Sequence, residues 1–313
     1  EGYGICPWRQ QILEGLLGSS ILGFHTRVHC NNFLDSVDRL LEARIDRDHS
    51  TISYRSKLTS VNHYPISIEW PARWVRDQRP VEECRAKIRA FHGMQPDRLI
   101  GVGVDRLDYT KGIIERFLAV ERLLELQPEW VGRFTFIQIA APSRSGIDQY
   151  QHFAGQVRAL AEQINKRFGR DGYTPICLKV QHHEPAQVFE HYRSADVCVV
   201  SSLHDGMNLV AKEFVAARDD ELGVLILSQF TGASRELPEA LVVNPYDIDQ
   251  FAAALHVALN MPPVEQRARM RNMRGLIQEF NVYRWAGRML MDAARMRQYD
   301  RVMKHVGQSG PPT

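Results

Sequence analysis

The sequence predicts an α/β fold: a doubly wound parallel sheet over most of the chain, preceded by a segment organised differently. Two patterns carry the prediction. From Leu99 onward, short β-rich apolar runs alternate with amphipathic helical stretches, as βαβ units require. The loops after those runs gather cations, carboxylates and glycines, and the crevice beyond the carboxyl ends of the strands is where such sheets bind ligands. With 313 residues, 44% of them hydrophobic and 24% charged, the chain has a core's worth of apolar material for one large domain or two modest ones.

The predicted strands, in order, are Leu99–Val104, Phe134–Ile139, Ile176–Val180, Val197–Ser201, Val224–Leu227 and Leu241–Val243. Between them lie helices over Ile113–Leu126, Ile147–Phe168, Ala186–Ser194, Asn208–Ala217 and Ile248–Leu259. In the first, Ile113, Ile114, Phe117, Leu118, Ala119 and Leu124 mark an apolar face and Pro128 closes it. Six strands alternating with helices read as a Rossmann-like domain. Upstream, Trp8–Leu17 and Asn31–Glu42 are predicted helical, Ser20–Phe24 is a short strand, and Lys57–Ile68 holds another that breaks at Pro65. Those are too few strands for an independent sheet. Tyr64–Pro80, with Pro65, Pro71, Pro80, Trp70 and Trp74, suits a crossing between domains. Two long helical patterns fill Pro263–His305.

Charge and cysteine usage exclude several classes of function. A net charge of +2 leaves no basic footprint for nucleic acid or an anionic membrane surface, so an anionic ligand must be met locally. No apolar run approaches the 18 residues or so of a membrane span. The five cysteines (Cys6, Cys30, Cys84, Cys177, Cys198) are odd in number and widely spaced with no CxxC, which predicts neither disulfides nor a zinc knuckle and fits a reducing cytoplasm. Glu1–Arg9 is no signal peptide, and without an initial Met the chain reads as beginning inside a longer one.

The most informative loop is Gly101-Val-Gly-Val-Asp-Arg-Leu-Asp-Tyr-Thr-Lys-Gly112. It carries Arg106 and Lys111 from a strand end to a helix start, where helix amides and two cations converge as a diphosphate needs. It is neither a Walker A sequence nor GxGxxG. The alternative is that Arg106 and Asp108 pair on the surface and Lys111 is solvated. In the second loop, Ser201-Ser-Leu-His-Asp-Gly-Met-Asn-Leu-Val-Ala-Lys-Glu213, Asp205-Gly206 makes a tight turn that leaves the Met207, Asn208 and Leu209 N–H groups as unpaired first-turn donors. Glu213 is placed to accept from a ribose diol and Asp205 from a sugar hydroxyl; alternatively Asp205 is an N-cap and Glu213 an exposed helix acid. Ala141-Pro-Ser-Arg144 and Gln181-His-His-Glu184 follow two further strands, Arg144 either binding an anion or merely solvating its loop. His182 and His183 have no third ligand spaced to complete a metal site. Met207, Met261, Met270 and Met273 are packing residues.

Five of these segments together, Val104-Asp-Arg-Leu-Asp-Tyr-Thr-Lys-Gly112, Ala141-Pro-Ser-Arg144, Asp205-Gly-Met-Asn-Leu-Val-Ala-Lys-Glu213, Leu227-Ser-Gln-Phe-Thr-Gly-Ala233 and Asn244-Pro-Tyr-Asp247, resemble the trehalose-6-phosphate synthase family in order and spacing. These are retaining nucleotide-sugar glucosyltransferases of glycosyltransferase family 20. The resemblance extends from Pro7-Trp-Arg9 and Gly23-Phe-His-Thr26 to Arg284-Trp-Ala286. It implies the two-domain GT-B architecture: the Rossmann-like carboxy-terminal domain complete at 76–283, only the closing part of the amino-terminal domain at 1–75, and a crossing helix and tail at 284–313.

The resemblance also implies an activity, the transfer of glucose from a nucleotide-glucose donor to a sugar phosphate, in the first place UDP-glucose to glucose 6-phosphate. A glucosylglycerol-phosphate synthase-like transferase and a non-catalytic nucleotide-sugar-binding relative are the alternatives. Catalytic roles then fall to Arg106, Lys111 and Asp205. Arg106 and Lys111 hold the diphosphate, Asp205 and the backbone of Gly206, Met207, Asn208, Leu209 and Val210 the glucose, Glu213 the ribose, and His182 and His183 edge the base. Arg144 binds the acceptor phosphate. No metal and no cofactor is implied, nucleic acid and membrane are not partners, and a homo-oligomer is open. Two positions depart from the family: His204 stands where it usually has Arg, and Pro65-Ile-Ser-Ile-Glu69 replaces Pro-Ile-Gly-Ile-Asp. Without most of the amino-terminal domain, the chain is expected to bind donor and transfer little glucose.

Overall fold

The structure, a computed structural model, describes every residue except Glu1, Asp77, Arg144, Ser145, Ile147 and 309–313, and leaves out the side chains of 299, 300 and 302–308. The chain divides into two compact units, one formed by Glu1–Ile66 with Val282–Thr313 and the other by Ser67–Asn281.

The first unit runs α1 (Arg9–Leu16), β1 (Ile21–Phe24), α2 (Arg27–Leu40), β2 (Arg44–Asp46), β3 (Thr51–Tyr54) and β4 (Lys57–His63). Contrary to the sequence reading, it has its own four-stranded sheet, in the order β1-β4-β3-β2. Two strands, β2 and β3, escaped notice because they are short and polar, and because the turn from β3 into β4 has no glycine. Tyr54 pairs with Lys57 in an antiparallel register, so Arg55 and Ser56 make a two-residue loop. Both have positive φ, 46° and 63°, as the right-handed strand twist demands of such a turn. Helix α2 also starts earlier than expected, at Arg27, because the Thr26 side chain accepts from the His29 N–H and caps it. Val37, Leu34, Leu13 and Ile52 form the buried centre of this unit. The last helix of the chain belongs to it: Trp285 donates to the Tyr64 carbonyl and Asp292 accepts from the Tyr64 hydroxyl at 2.9 Å.

The second unit opens with α3 (Arg73–Arg76) and α4 (Val81–Phe91). It continues through β5 (Leu99–Arg106), α5 (Ile113–Leu126), β6 (Phe134–Ala141), α6 (Asp148–Phe168), β7 (Ile176–Val180) and α7 (Pro185–Ser194). Then come β8 (Val197–Val200), α8 (Leu209–Ala217), β9 (Val224–Ser228), β10 (Leu241–Val243), α9 (Ile248–Asn260) and α10 (Pro263–Glu279), with α11 (Val282–Gln308) returning to the first unit. All six predicted strands are present and parallel, in the order β10-β9-β8-β5-β6-β7. Sequential strands diverge on either side of the β5/β8 pair, which makes that gap the topological switch point. One helical layer is α5 with α6 and α9, and a second is built from α4, α7, α8 and α10. Met261, Met270 and Met273 are buried, as expected.

The unit boundaries at Ile66/Ser67 and Asn281/Val282 fall short of the positions 75/76 and 283/284 read from sequence. Trp70 explains the first, since its ring lies 5.0 Å from the Arg274 guanidinium of α10 and so sits with the second unit. Ser67, the departure from the family glycine, is buried and its hydroxyl has no partner among the described residues. All five cysteines are free. No helix among the described residues is long and apolar enough to cross a membrane.

A histidine cluster lies between α4 and α7. The His92 ring meets His191 edge-on at 6.2 Å, Cys177 Sγ is 3.3 Å from His92 Nδ1, and His92 Nε2 has no partner among the described residues. Burial, with the nearby charge of Lys179 and of His191, lowers the His92 pKa from 6.5 to about 4. Because the unfolded chain takes up that proton and the folded chain resists it, the stabilisation is whole above pH 6.5 and is lost as pH falls toward about 4. Urea melts at pH 7 and pH 4.5 are expected to show this loss, and His92→Phe to shrink it. An unchanged difference in the variant would assign the acid sensitivity elsewhere.

Candidate functional site

The loops after β5 and β8 meet at the switch point. β5 ends at Arg106, exposed and without a partner among the described residues. The surface pair between Arg106 and Asp108 does not form, because the buried Asp108 carboxylate turns inward to accept from the Thr110 N–H (3.0 Å) and hydroxyl (2.8 Å). Lys111 is not solvated either: its ammonium reaches across the switch point to Asp205 Oδ2 at 2.7 Å, both side chains being 18% exposed. Gly112 then turns the chain into α5 with φ of 64°.

Asp205 is held by more than Lys111. Ser202 Oγ (3.3 Å) and Asn208 Nδ2 (3.2 Å) donate to the same carboxylate. Burial would raise its pKa, but the Lys111 hydrogen bond and charge, helped by Asn208 and Met207, outweigh burial and hold it below the usual value. The loop after β9 pins the main chain, the Phe230 carbonyl accepting from the Asp205 N–H (3.2 Å) and the Gly232 N–H donating to the Asp205 carbonyl (3.1 Å).

The α8 turn corrects the sequence reading in three details. Asn208, not Asp205, caps the helix, its Oδ1 accepting from the Ala211 N–H at 3.0 Å. The strained residue is Asn208 with φ of 124°, whereas Gly206 is not among the positive-φ residues. The Met207 amide helps to lower the Asp205 pKa, and the N–H groups of Asn208, Leu209 and Val210 have no partners among the described residues. Three such amides on a helix start, held by a backbone that stores strain, are suited to an anion or to sugar oxygens. Met207 itself is buried.

Glu213, one turn further along α8, is half-buried and not the exposed acid of the alternative reading. Tyr192 of α7, fully buried, donates to its Oε2 at 3.2 Å, and burial raises the carboxyl's pKa. On the other flank, His182 and His183 follow β7 and are exposed or half-exposed. His183 Nδ1 lies 3.2 Å from the Gln181 carbonyl and its ring 6.1 Å from His191. His204 is exposed. Arg144 lies outside the described residues. No group of three or more His, Cys, Asp or Glu able to hold a metal occurs among the described residues.

Sequence reasoning missed what lies beneath. On the face of β5 that carries Gly101 and Gly103, the missing Cβ atoms leave room for Phe136 and for the Arg116 guanidinium. Arg116, on α5 and 0% exposed, bonds Asp105 Oδ2 at 2.8 Å, Gln138 Oε1 at 2.6 Å and Ser201 Oγ at 3.0 Å. Burial raises the Asp105 carboxyl's pKa while Arg116 opposes it. The signal was present but unread: Arg116 occupies the stripe of Ile113, Phe117 and Val120, where a charge has no solvent.

Chemically, the cleft offers two cations and three free amides to an anion, and two carboxylates to hydroxyl groups. The profile of Glycosyltransferase family 20 matches residues 1–295. Over 279 residues the chain is 40% identical to the bifunctional trehalose-6-phosphate synthase/phosphatase of Thermoproteus tenax, covering 89% of this chain and 38% of that protein. It is 40% identical over 295 residues to the trehalose-6-phosphate synthase of Klebsiella pneumoniae, covering 93% and 61%. An Escherichia coli structure bound with UDP-2-fluoro glucose matches with a TM-score of 0.86 at 36% identity, over 93% of this chain and 64% of that one. The UDP-forming alpha,alpha-trehalose-phosphate synthase of Burkholderia xenovorans in complex with glucose-6-phosphate matches with a TM-score of 0.84 at 36% identity, over 91% and 63%. The chain spans between 38% and 62% of the length of the curated relatives it matches.

Proposed function

The chain belongs to glycosyltransferase family 20, and on that premise we propose that its switch-point cleft binds a nucleoside-diphosphate glucose, UDP-glucose first, for retaining transfer to glucose 6-phosphate. The observation that carries the reading is the Lys111–Asp205 pair, at 2.7 Å across the switch point beside the free amides of α8. The Lys111 ammonium has three donors and Asp205 takes one of them, so a diphosphate can be met without breaking the pair. Arg106 adds a second cation from the strand end.

As the bond from glucose to the diphosphate breaks, negative charge collects on the departing nucleotide, and fixed cations there lower the barrier. Asp205 and the amides of Asn208, Leu209 and Val210 hold the sugar. Glu213, steadied by Tyr192, accepts from the ribose, and the His182–His183 loop borders the base. Arg144 is assigned to the acceptor phosphate from sequence alone.

With the diphosphate neutralised by protein cations, no divalent ion is needed. Calorimetric titration of UDP-glucose is therefore expected to give a saturable isotherm whose affinity stays within about twofold in excess EDTA. A strict requirement for Mg²⁺ or Mn²⁺ would overturn this reading in favour of an Asp-anchored, metal-dependent transferase.

A further inference from the structure

We propose that Arg116 is a positioning residue that sets Lys111 and the α8 amides in register across the switch point; the inference rests on reading this cleft as the donor site. A buried ion pair is by itself weak grounds for such a role, because desolvating two charges costs as much as their attraction returns and a packed apolar side chain would fill the space as well. What distinguishes Arg116 is where its bonds go. Only Asp105 and Gln138 belong to strands; the remaining acceptors lie in the two loops that build the cleft. Nε donates to Ser201 Oγ, the first residue after β8, at 3.0 Å, and Nη2 approaches the Lys111 carbonyl at 3.5 Å.

Ser201 passes the connection on. Its hydroxyl donates to the Gly112 carbonyl at 2.7 Å, one residue from Lys111. On the other side its neighbour Ser202 donates to Asp205, and the Leu203 N–H donates to the Thr110 carbonyl at 2.8 Å. A single planar fork thus ties the main chain of the Lys111 loop to the loop that carries Asp205. The guanidinium is fully buried beneath both loops and has no route to a ligand. Its influence on binding must pass through the groups it holds. Lysine cannot replace it, since a point charge reaches Asp105 but lacks the fork that spans Asp105, Gln138 and Ser201.

The test is a double-mutant cycle read by calorimetry with UDP as probe, alongside thermal melts. Arg116→Ala would strand Asp105 and risks unfolding, so the variants are Ser201→Ala, which breaks the relay, and Arg116→Lys, which keeps the charge. Each is made in the wild-type and Lys111→Ala backgrounds. Each is expected to weaken UDP about tenfold when Lys111 is present and less than threefold when it is absent, because the same contact is lost by either route. Equal losses in both backgrounds, or a lower melting temperature with unchanged affinity, would show that Arg116 is a structural ion pair only and would overturn the proposal. A wild-type chain that binds no UDP, or a Lys111→Ala chain that binds it equally well, would overturn the donor-site reading and this inference with it.

Discussion

Lys111→Ala is expected to weaken UDP binding by tenfold or more, since a hydrogen bond to a charged group is worth about 1.5–3 kcal/mol. Two effects add. The ammonium proposed to meet the diphosphate is gone, and Asp205, which it neutralises at 2.7 Å, remains as a carboxylate facing the proposed anion. The second effect depends on pH. Lys111 is the main group that holds the Asp205 pKa down, so in the variant burial pushes it up, and the loss should shrink as pH falls and Asp205 takes up a proton. Lys87→Ala is the control: that side chain is half-exposed and pairs with Glu190 on the outer surface, so affinity should not change. An unchanged Kd for Lys111→Ala would remove the cleft from the functional argument.

The largest expected loss of stability comes from Gly112→Ala. A Cβ there would stand 2.1 Å from the Ser201 carbonyl oxygen, a main-chain atom with no side-chain freedom to retreat. Its φ of 64° adds about 1–2 kcal/mol for an L-residue in the left-handed region. To relieve the clash the loops after β5 and β8 must part, breaking the Ser201 to Gly112 hydrogen bond at 2.7 Å. A loss above about 4 kcal/mol, read as a fall in melting temperature of roughly 10 °C, is expected. The same substitution at Gly155, exposed on α6 with open space around it, should raise stability by about 0.5–1 kcal/mol. If both variants melted alike, the close approach of the two loops would not be the reason for glycine at 112.

The second unit was legible because its strands are covered on both faces. β6, β8 and β9 are buried almost end to end, so each reads as an unbroken apolar run bounded by turns. The first unit was not. β2 is Arg44-Ile-Asp46 and β3 is Thr51-Ile-Ser-Tyr54, each with one central isoleucine and too few residues to show a period. Its turn at Arg55-Ser56 lacks the glycine or asparagine that would have announced a hairpin.

The sequence by itself marked the candidate groups of the cleft: Arg106 at a strand end, Lys111 and Asp205 in loops beyond strands, and Glu213 on the helix that follows, a placement that comes from local pattern. It could not determine the partners. Lys111 and Asp205 are 94 residues apart, and only the strand order, which sets β5 beside β8, brings them within 2.7 Å. The tertiary structure alone decided which amides of α8 are free, that Asn208 and not Gly206 carries the strained backbone, and that Tyr192 steadies Glu213. It also decided that a charge on the core stripe of α5 is tolerated, because Gly103, Gln138, Asp105 and Ser201 close around Arg116 from two strands and a loop. Periodicity reports how each segment meets the core, whereas a buried polar group is satisfied by whatever the packing brings to it, and packing is a property of all the segments together.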